Sequence, residues 1–176
     1  MAITTYGLKE IKTELKHMSS TQLAELCLRM VKYKKENKEL LAYLLFEAHD
    51  QQVFIEGIKA ESGLMYSQLS SQSYQMAKNI RKILRFINKQ IKFMGSKQGE
   101  VELLIQFCKD YLDYADRKAN YKPLRQILIR QLTKVKMTIS KLQEDLQFDY
   151  LQEFNELVLD CHNKLSWINK ADFNVT

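Results

Sequence analysis

Apolar residues recur every three or four positions along almost the whole chain, and this spacing is typical of amphipathic α-helices. The clearest example is residues 73–94, where one helical face carries Ile80, Ile83, Leu84, Ile87, Ile91 and Met94. Comparable apolar stripes appear before and after this segment, and no pattern of strict alternation suggests a strand. The sequence therefore predicts an all-α fold with six or seven helices.

Local signals mark where several of these helices begin and end. Ser19 and Gln22 have the spacing of a capping box, in which each side chain satisfies a free donor at a helix N-terminus. Gly95 is predicted to end the helix of residues 73–94, and Ser96 to cap the helix that follows. Pro123 fits the first turn of the next helix, where its missing N–H costs nothing.

The helices are predicted to form one domain over residues 1–176, as a bundle or a short irregular stack of helical hairpins. An apolar stripe that begins at Leu40 predicts one helix reaching Ile58. The uncharged segment near 62–75, rich in Ser and Gln, marks an internal break between two helices. With one Pro and five Gly in the chain, a many-turned β-sandwich or a glycine-rich α/β enzyme is disfavoured.

The charged residues add information about function to this predicted fold, because they are unevenly distributed along the chain. The chain has a net charge of +6, which favours acidic partners such as nucleic acids. Residues 62–99 hold seven Lys or Arg and no Asp or Glu, and residues 117–143 hold eight and none. Carboxylates are concentrated in residues 100–116 and 144–176 instead. Two basic segments therefore account for more than the whole net charge.

The basic residues of the 73–94 helix fall on one face, opposite its apolar stripe, when residues are placed at about 100° intervals. Phe86 and Phe93 lie beside this face. The predicted nucleic-acid-binding residues are Lys78, Lys82, Arg85, Lys89 and Lys92, helped by Arg125, Arg130 and Lys134 on the helix that follows Pro123. Two structural explanations stay open: the charges only keep a helix face hydrated, or the acidic helices lie against the basic ones.

Recognisable catalytic chemistry is missing from the sequence. The three histidines, His17, His49 and His162, show none of the spacings of helical or finger metal sites, and no nucleophile or phosphate-loop motif occurs. Residues 95–100 are predicted to be a turn between helices. We therefore assign no catalytic, cofactor-binding or metal-binding residue and expect no cofactor.

The cysteine content and the N-terminal sequence indicate the cellular compartment in which the protein is expected to reside. Cys27, Cys108 and Cys161 lie among apolar residues and are predicted to be reduced core thiols. The N-terminus lacks the pattern of a signal peptide, and the longest apolar run has seven residues, Leu40 to Phe46. These features predict a cytoplasmic protein without a membrane partner.

The N-terminal stretch resembles a known group of sequences. Leu8-Lys9-Glu10, Glu14-Leu15-Lys16, Ser19 to Leu23, Glu25-Leu26, Lys34 to Glu39 and Tyr43-Leu44-Leu45 are similar to the opening of an all-helical bacterial family of unknown function. Its members open with Leu-Lys-x-x-Leu, then Ser-x-x-x-Leu, then a run rich in Lys, Asn and Glu. The resemblance covers about 40 residues; it implies an all-α fold and supplies no site residues.

Together these patterns favour a non-enzymatic cytosolic interaction or adaptor protein, which binds a protein partner or itself through an exposed helix face. The alternative is a nucleic-acid-binding protein that uses the basic stripe of the 73–94 helix. An enzyme without a recognisable motif is the third interpretation.

Overall fold

The computed structural model describes residues 5–116 and 120–173, and all regular secondary structure in them is helical. The predicted all-α class is therefore confirmed. Contacts between residues divide the chain into two compact units, unit 1 (residues 1–47) and unit 2 (residues 48–176). The described helices are α1 (Leu8–His17), α2 (Ser20–Tyr33), α3 (Lys35–Ala42), α4 (Gln51–Ser67), α5 (Ser73–Met94), α6 (Lys97–Tyr114), α7 (Lys122–Ile139) and α8 (Glu144–Lys164), with a π-helical turn at Tyr43–Glu47 and a 3-10 turn at Lys170–Phe173.

The described residues thus contain eight α-helices, and the predicted six or seven was too low. The difference arises where one helix was predicted from Leu40 to Ile58. The α-helix stops at Ala42, a π-helical turn follows, and α4 begins only at Gln51. The side chain of Asp50 accepts a hydrogen bond from the Val53 N–H (3.1 Å) and so caps the new helix.

Unit 1 has helices but almost no interior. The capping box at the start of α2 is present, because the Ser19 N–H donates to Gln22 Oε1 (2.8 Å) and the Gln22 N–H donates to Ser19 Oγ (3.3 Å). The Asn37 amide donates to the Met30 carbonyl (3.0 Å) and joins α3 to α2. None of α1, α2 and α3 contains a buried residue.

Unit 2 is built around α6. This helix packs against α4, α5, α7 and α8, and it has eleven buried residues among eighteen. A helix that is buried on most sides is expected to be apolar on most sides, and α6 fits because its core positions include Val101, Leu104 and Phe107, each under 1% exposed. The remaining helices of unit 2 each turn one apolar stripe toward this centre.

The predicted break near 62–75 corresponds to the end of α4 at Ser67 and the start of α5 at Ser73, and these two helices pack against each other within unit 2. The prediction of a single domain over residues 1–176 stays a prediction. Trp167 and Ile168 pack against the core after α8 ends.

Candidate functional site

All but one of the basic residues of α5 lie exposed on its solvent side, as their angular positions predict. The core side of the helix carries Ile80, Ile83, Ile87 and other buried residues. Five side chains on the opposite side are exposed, and we call them the basic face: Lys78, Arg81, Lys82, Arg85 and Lys92. Four of the five were predicted; Arg81 was missed, although it lies only about 60° around the helix from Lys78.

The basic face is long. α5 runs for 22 residues and ends at Gly95, whose φ of +63° is the left-handed conformation that terminates helices. The Gly95 N–H bonds to the Ile91 carbonyl (3.0 Å) and closes the last turn. At a rise of about 1.5 Å per residue, Lys78 and Lys92 are about 21 Å apart along the axis.

The cations of the basic face are not neutralised by the rest of the described chain. No carboxylate of residues 5–116 and 120–173 lies within 4.0 Å of their charged nitrogens. Lys89, which was predicted to belong to the same stripe, differs: it is half-buried and has an interaction partner. We therefore leave Lys89 out of the basic face.

The carboxylates of the acidic helices pair with other lysines. Glu102 on α6 accepts from Lys59 Nζ at 2.6 Å, and Glu153 on α8 accepts from Lys109 Nζ at 2.6 Å. A groove of about 360 Å³ between α6 and α8 is lined by Asp113, Glu153, Glu156 and Asp160, together with Lys109 and Lys164. Internal ion pairs therefore engage carboxylates of both acidic helices, but they do not involve the five cations of the basic face.

The three predicted cations of α7 have different environments. Lys134 Nζ donates to Glu100 Oε1 (2.8 Å) and to Asn88 Oδ1 (3.2 Å), so it is already engaged. The guanidinium of Arg125 lies 5.3 Å from the centre of the Trp167 ring, in a cation–π contact. Arg130 is exposed. Of these three, Arg130 alone is an exposed cation comparable to those of α5.

Arg130 is also placed beside the basic face by the course of the helices. The Asp116 N–H contacts Met76 Sδ (3.4 Å), and the Tyr111 hydroxyl donates to the Leu124 carbonyl (3.1 Å). The start of α7 is therefore near the start of α5, and the two packed helices run in the same direction.

The contact between Lys134 and Asn88 fixes how α5 and α7 are aligned. One turn earlier on both helices, Arg130 of α7 therefore lies at the same height as Leu84 of α5. Arg130 projects from the side of α7 that faces α5. Arg125 lies about 180° away from Lys134 around α7. Its position around the helix directs Arg125 toward Trp167, away from the side of α7 that carries Lys134, and its predicted part in nucleic-acid binding stays a prediction.

A cleft of about 540 Å³ adjoins the C-terminal end of the basic face. It is lined by Asn88, Lys92, Ser96, Lys97, Glu100 and Lys134, together with Ile91 and Gly95. Ser96 Oγ accepts from the Gly99 N–H (3.2 Å), which confirms its predicted role as a cap. Three ammonium groups against one carboxylate leave the cleft positively charged.

Glu100 holds two of those lysines in place. Its Oε2 accepts from Lys97 Nζ and its Oε1 from Lys134 Nζ, both at 2.8 Å. Burial raises the pKa of the Glu100 carboxyl, but the hydrogen bonds and positive charges of Lys134 and Lys97 outweigh this effect, and the pKa is lowered. Glu100 therefore stays ionised at neutral pH.

The two aromatic residues beside the stripe are not available for stacking on bases. Phe93 is buried and Phe86 is partly buried against the core. The exposed aromatic residue of α5 is Tyr74, one turn before Lys78, which is 69% exposed. Phe86 and Phe93 therefore contribute to packing beside the apolar stripe and do not form an exposed patch.

Other candidate chemistry is sparse in the described residues. Cys108 and Cys161 are buried, as predicted, but Cys27 is exposed, so the prediction of three core thiols was wrong. The reason is that α2 belongs to a unit without a deep interior. No group of three or more His, Cys, Asp and Glu in the described ranges is arranged to hold a metal ion.

Comparison of the chain with models of protein families, with curated proteins and with solved structures gives no significant match. The resemblance of the N-terminal stretch to a bacterial family therefore stays a prediction. None of the helices in residues 5–116 and 120–173 has the combination of length and apolar content that crossing a bilayer requires.

Proposed function

We propose that this protein binds nucleic acid through the basic face of α5. The observation that carries the proposal is the set of five exposed cations along about 21 Å of one helix, none of them paired with a carboxylate of the described residues. A regular row of unpaired cations complements the regular row of phosphates on a nucleic-acid backbone. Arg130 and the lysines of the adjoining cleft extend the positive surface.

The arrangement favours contacts to phosphates over contacts to bases. Lysine and arginine side chains that project from a solvent-facing helix reach backbone phosphates, which carry no direct sequence information. Binding to single strands usually adds stacking on several aromatic side chains, but Phe86 and Phe93 are not exposed for that purpose, and Tyr74 is the one exposed aromatic residue of α5. We therefore propose sequence-independent binding in which a duplex is bound at least as well as a single strand.

Fluorescence anisotropy with labelled duplex DNA and single-stranded RNA at several salt concentrations tests the proposal. Five phosphate contacts predict a slope of log K against log [salt] of about −4.5 for a duplex, since each contact contributes about −0.9. An absence of binding to either nucleic acid at low salt would contradict the proposal.

A charge-reversal variant locates the binding surface. Changing Lys78, Lys82 and Arg85 together to Glu should abolish binding and leave the helical circular dichroism signal unchanged, because all three side chains are exposed. The matched control changes the same net charge on exposed residues of unit 2 outside α5: Lys122, Lys141 and Lys170 to Glu. Equal loss of affinity in both variants would show that net charge, and not the basic face, drives binding.

A second candidate function is favoured by unit 1. Nine large apolar side chains in residues 5–47 are exposed, and an excess of exposed apolar side chains is a feature of protein-interaction sites. We therefore also propose that the protein is an interaction protein that binds another protein surface through unit 1.

A further inference from the structure

The cleft at the C-terminal end of the basic face differs from the rest of that face because it is concave. Its volume is about 540 Å³, and all the residues that line it belong to unit 2. Three helices contribute cationic or polar side chains to its walls: Asn88 and Lys92 on α5, Lys97 and Glu100 on the first turn of α6, and Lys134 on α7. Pockets that hold small molecules have volumes of about 300–1,000 Å³, so the cleft has room for a group as large as a nucleotide.

The charges of the cleft select an anion that carries two negative charges. Burial raises the pKa of Glu100, but the hydrogen bonds and charges of Lys134 and Lys97 lower it by more, so this carboxylate stays ionised at neutral pH. One carboxylate against the ammonium groups of Lys92, Lys97 and Lys134 leaves two net positive charges. A phosphate monoester carries about −1.5 to −2 charges at neutral pH, whereas each internal phosphate of a nucleic acid carries one. A terminal phosphate therefore matches the cleft better than an internal one.

The three lysines of the cleft also keep hydrogen-bond donors for a ligand. An ammonium group has three N–H donors. Lys97 uses one of them on Glu100, and Lys134 uses two, on Glu100 and on Asn88. Lys92 is exposed, and no carboxylate of residues 5–116 and 120–173 pairs with it. Donors therefore remain on all three lysines, and phosphate oxygens are strong acceptors for them.

Glu100 prepares the cleft for binding by holding two of its cations in place. The side chain of Glu100 is 8% exposed and accepts from Lys97 Nζ and Lys134 Nζ, both at 2.8 Å, while those two lysine side chains are 56% and 39% exposed. A cation that is already held loses less conformational freedom when a ligand binds. The ion pairs with Glu100 thus pre-organise Lys97 and Lys134 and leave both open to solvent.

The cleft is continuous with the basic face, because Lys92 belongs to both. A nucleic-acid backbone that follows the basic face from Lys78 to Lys92 reaches the cleft at that end. An internal phosphate in the cleft would require the strand to enter and to leave again between three helices, whereas a terminal phosphate requires one opening. The position of the cleft therefore favours the end of a strand.

We infer that the cleft between α5, α6 and α7 binds the terminal phosphate of a nucleic-acid strand, so that the protein prefers phosphorylated ends. Lys92, Lys97 and Lys134 bind the phosphate, and Glu100 positions the last two. This inference rests on the first proposed function and names the part of the nucleic acid that this site recognises. A free nucleotide carries the same phosphate monoester, and the experiment separates these two sources.

Anisotropy titrations with two blunt DNA duplexes of identical sequence test the inference. One duplex carries 5′-phosphates and the other 5′-hydroxyls; a third, with 3′-phosphates, covers the opposite direction of the strand. At low salt we expect a duplex with terminal phosphates, at the 5′ or the 3′ ends, to bind about tenfold more tightly than the hydroxyl duplex, because it adds charge-assisted hydrogen bonds. Adenosine monophosphate, titrated by calorimetry, should bind more weakly than the phosphorylated duplex, because it makes no contact with the rest of the basic face.

A pair of matched variants locates the preference. Lys92→Gln with Lys97→Gln removes two charges from the cleft and should reduce the tenfold preference to less than about twofold. The control, Lys78→Gln with Lys82→Gln, removes two charges from the other end of the basic face and should weaken binding of every duplex while the tenfold preference stays. All four side chains are exposed, and an unchanged helical circular dichroism signal checks that both variants fold.

Three results would overturn the inference: equal affinity of the wild-type protein for the phosphorylated and hydroxyl duplexes, a preference that survives in the cleft variant, or adenosine monophosphate binding as tightly as the phosphorylated duplex. The last result would assign the cleft to a free nucleotide. Equal affinity leaves the proposed binding of nucleic acid by the basic face intact. Failure to bind any duplex at low salt defeats the first proposed function, and this inference with it.

Discussion

Two buried carboxylates on α6 should respond in opposite ways to the loss of their charge. Glu100 and Asp110 are 6% and 7% exposed, yet their hydrogen-bond partners differ. Both oxygens of Glu100 accept from lysine ammonium groups. Asp110 Oδ1 accepts from the Gln106 amide (2.7 Å), but its Oδ2 is buried without a partner in the described residues. We predict that Glu100→Gln destabilises unit 2 and that Asp110→Asn stabilises it.

The size of each change in the free energy of unfolding follows from the groups that surround the carboxylate. Breaking a fully buried ion pair costs about 3–5 kcal/mol, but the side chains of Lys97 and Lys134 are 56% and 39% exposed and can rehydrate. We therefore expect Glu100→Gln to lower the free energy of unfolding by about 2 kcal/mol. This corresponds to a fall in Tm of about 4–8 °C. Asp110→Asn keeps the bond to Gln106 and removes a buried charge; its new Nδ2 group lacks a partner as Oδ2 does, but a neutral amide costs less to bury than a charge, and the net gain should be about 1 kcal/mol at neutral pH.

The contributions of Glu100 and Asp110 to stability should also change with pH in opposite directions. The pKa of Glu100 is lowered in the folded protein, so its stabilisation is complete above its unfolded pKa and is lost as the pH falls through the folded pKa. Burial raises the pKa of Asp110; the Gln106 hydrogen bond opposes this and the charge of Asp113 adds to it. Asp110 therefore destabilises above its folded pKa, and its cost disappears below its unfolded pKa.

Thermal unfolding at neutral pH and near pH 3 measures both effects. Trp167 is the single tryptophan of the chain and lies in unit 2, so its fluorescence reports on this unit. The Tm differences between each variant and the wild-type protein should shrink at the lower pH. A Tm change of the same sign for both variants at neutral pH would refute the reasoning, because it would mean that burial alone, and not the partners of each carboxylate, sets the energy.

Further predictions concern single side chains. Tyr66→Phe removes the buried hydrogen bond from the Tyr66 hydroxyl to the Phe107 carbonyl (3.2 Å) and should lower the free energy of unfolding by about 1 kcal/mol in urea titrations; an unchanged midpoint would contradict this. Cys27 alone should react with a thiol reagent in the native protein, and three thiols should react after denaturation, since the other two are buried; rapid reaction of all three would be inconsistent with the fold. Arg130→Ala should weaken nucleic-acid binding more than Arg125→Ala in anisotropy titrations, because Arg125 is held by the Trp167 ring; the reverse order would argue against the alignment of α5 and α7.

Local features of this protein were determined by the sequence alone. The apolar period of residues 73–94, the glycine that follows and the serine after it predicted α5 and the turn beyond it, and all three are confirmed. The capping box of Ser19 and Gln22 is another example. Each of these features depends on residues within one or two helical turns, and the positions of such residues are fixed by the helix geometry itself.

Other features were decided by the tertiary structure. The sequence placed Lys134 and Arg125 with the α5 stripe, but a carboxylate on α6 binds the first and an indole beyond α8 holds the second. Cys27 lies among apolar neighbours, yet it is exposed because its helix belongs to a unit with little interior. Whether a charge is paired or a side chain is buried depends on which distant helix lies opposite, and spacing along one helix carries no information about that neighbour.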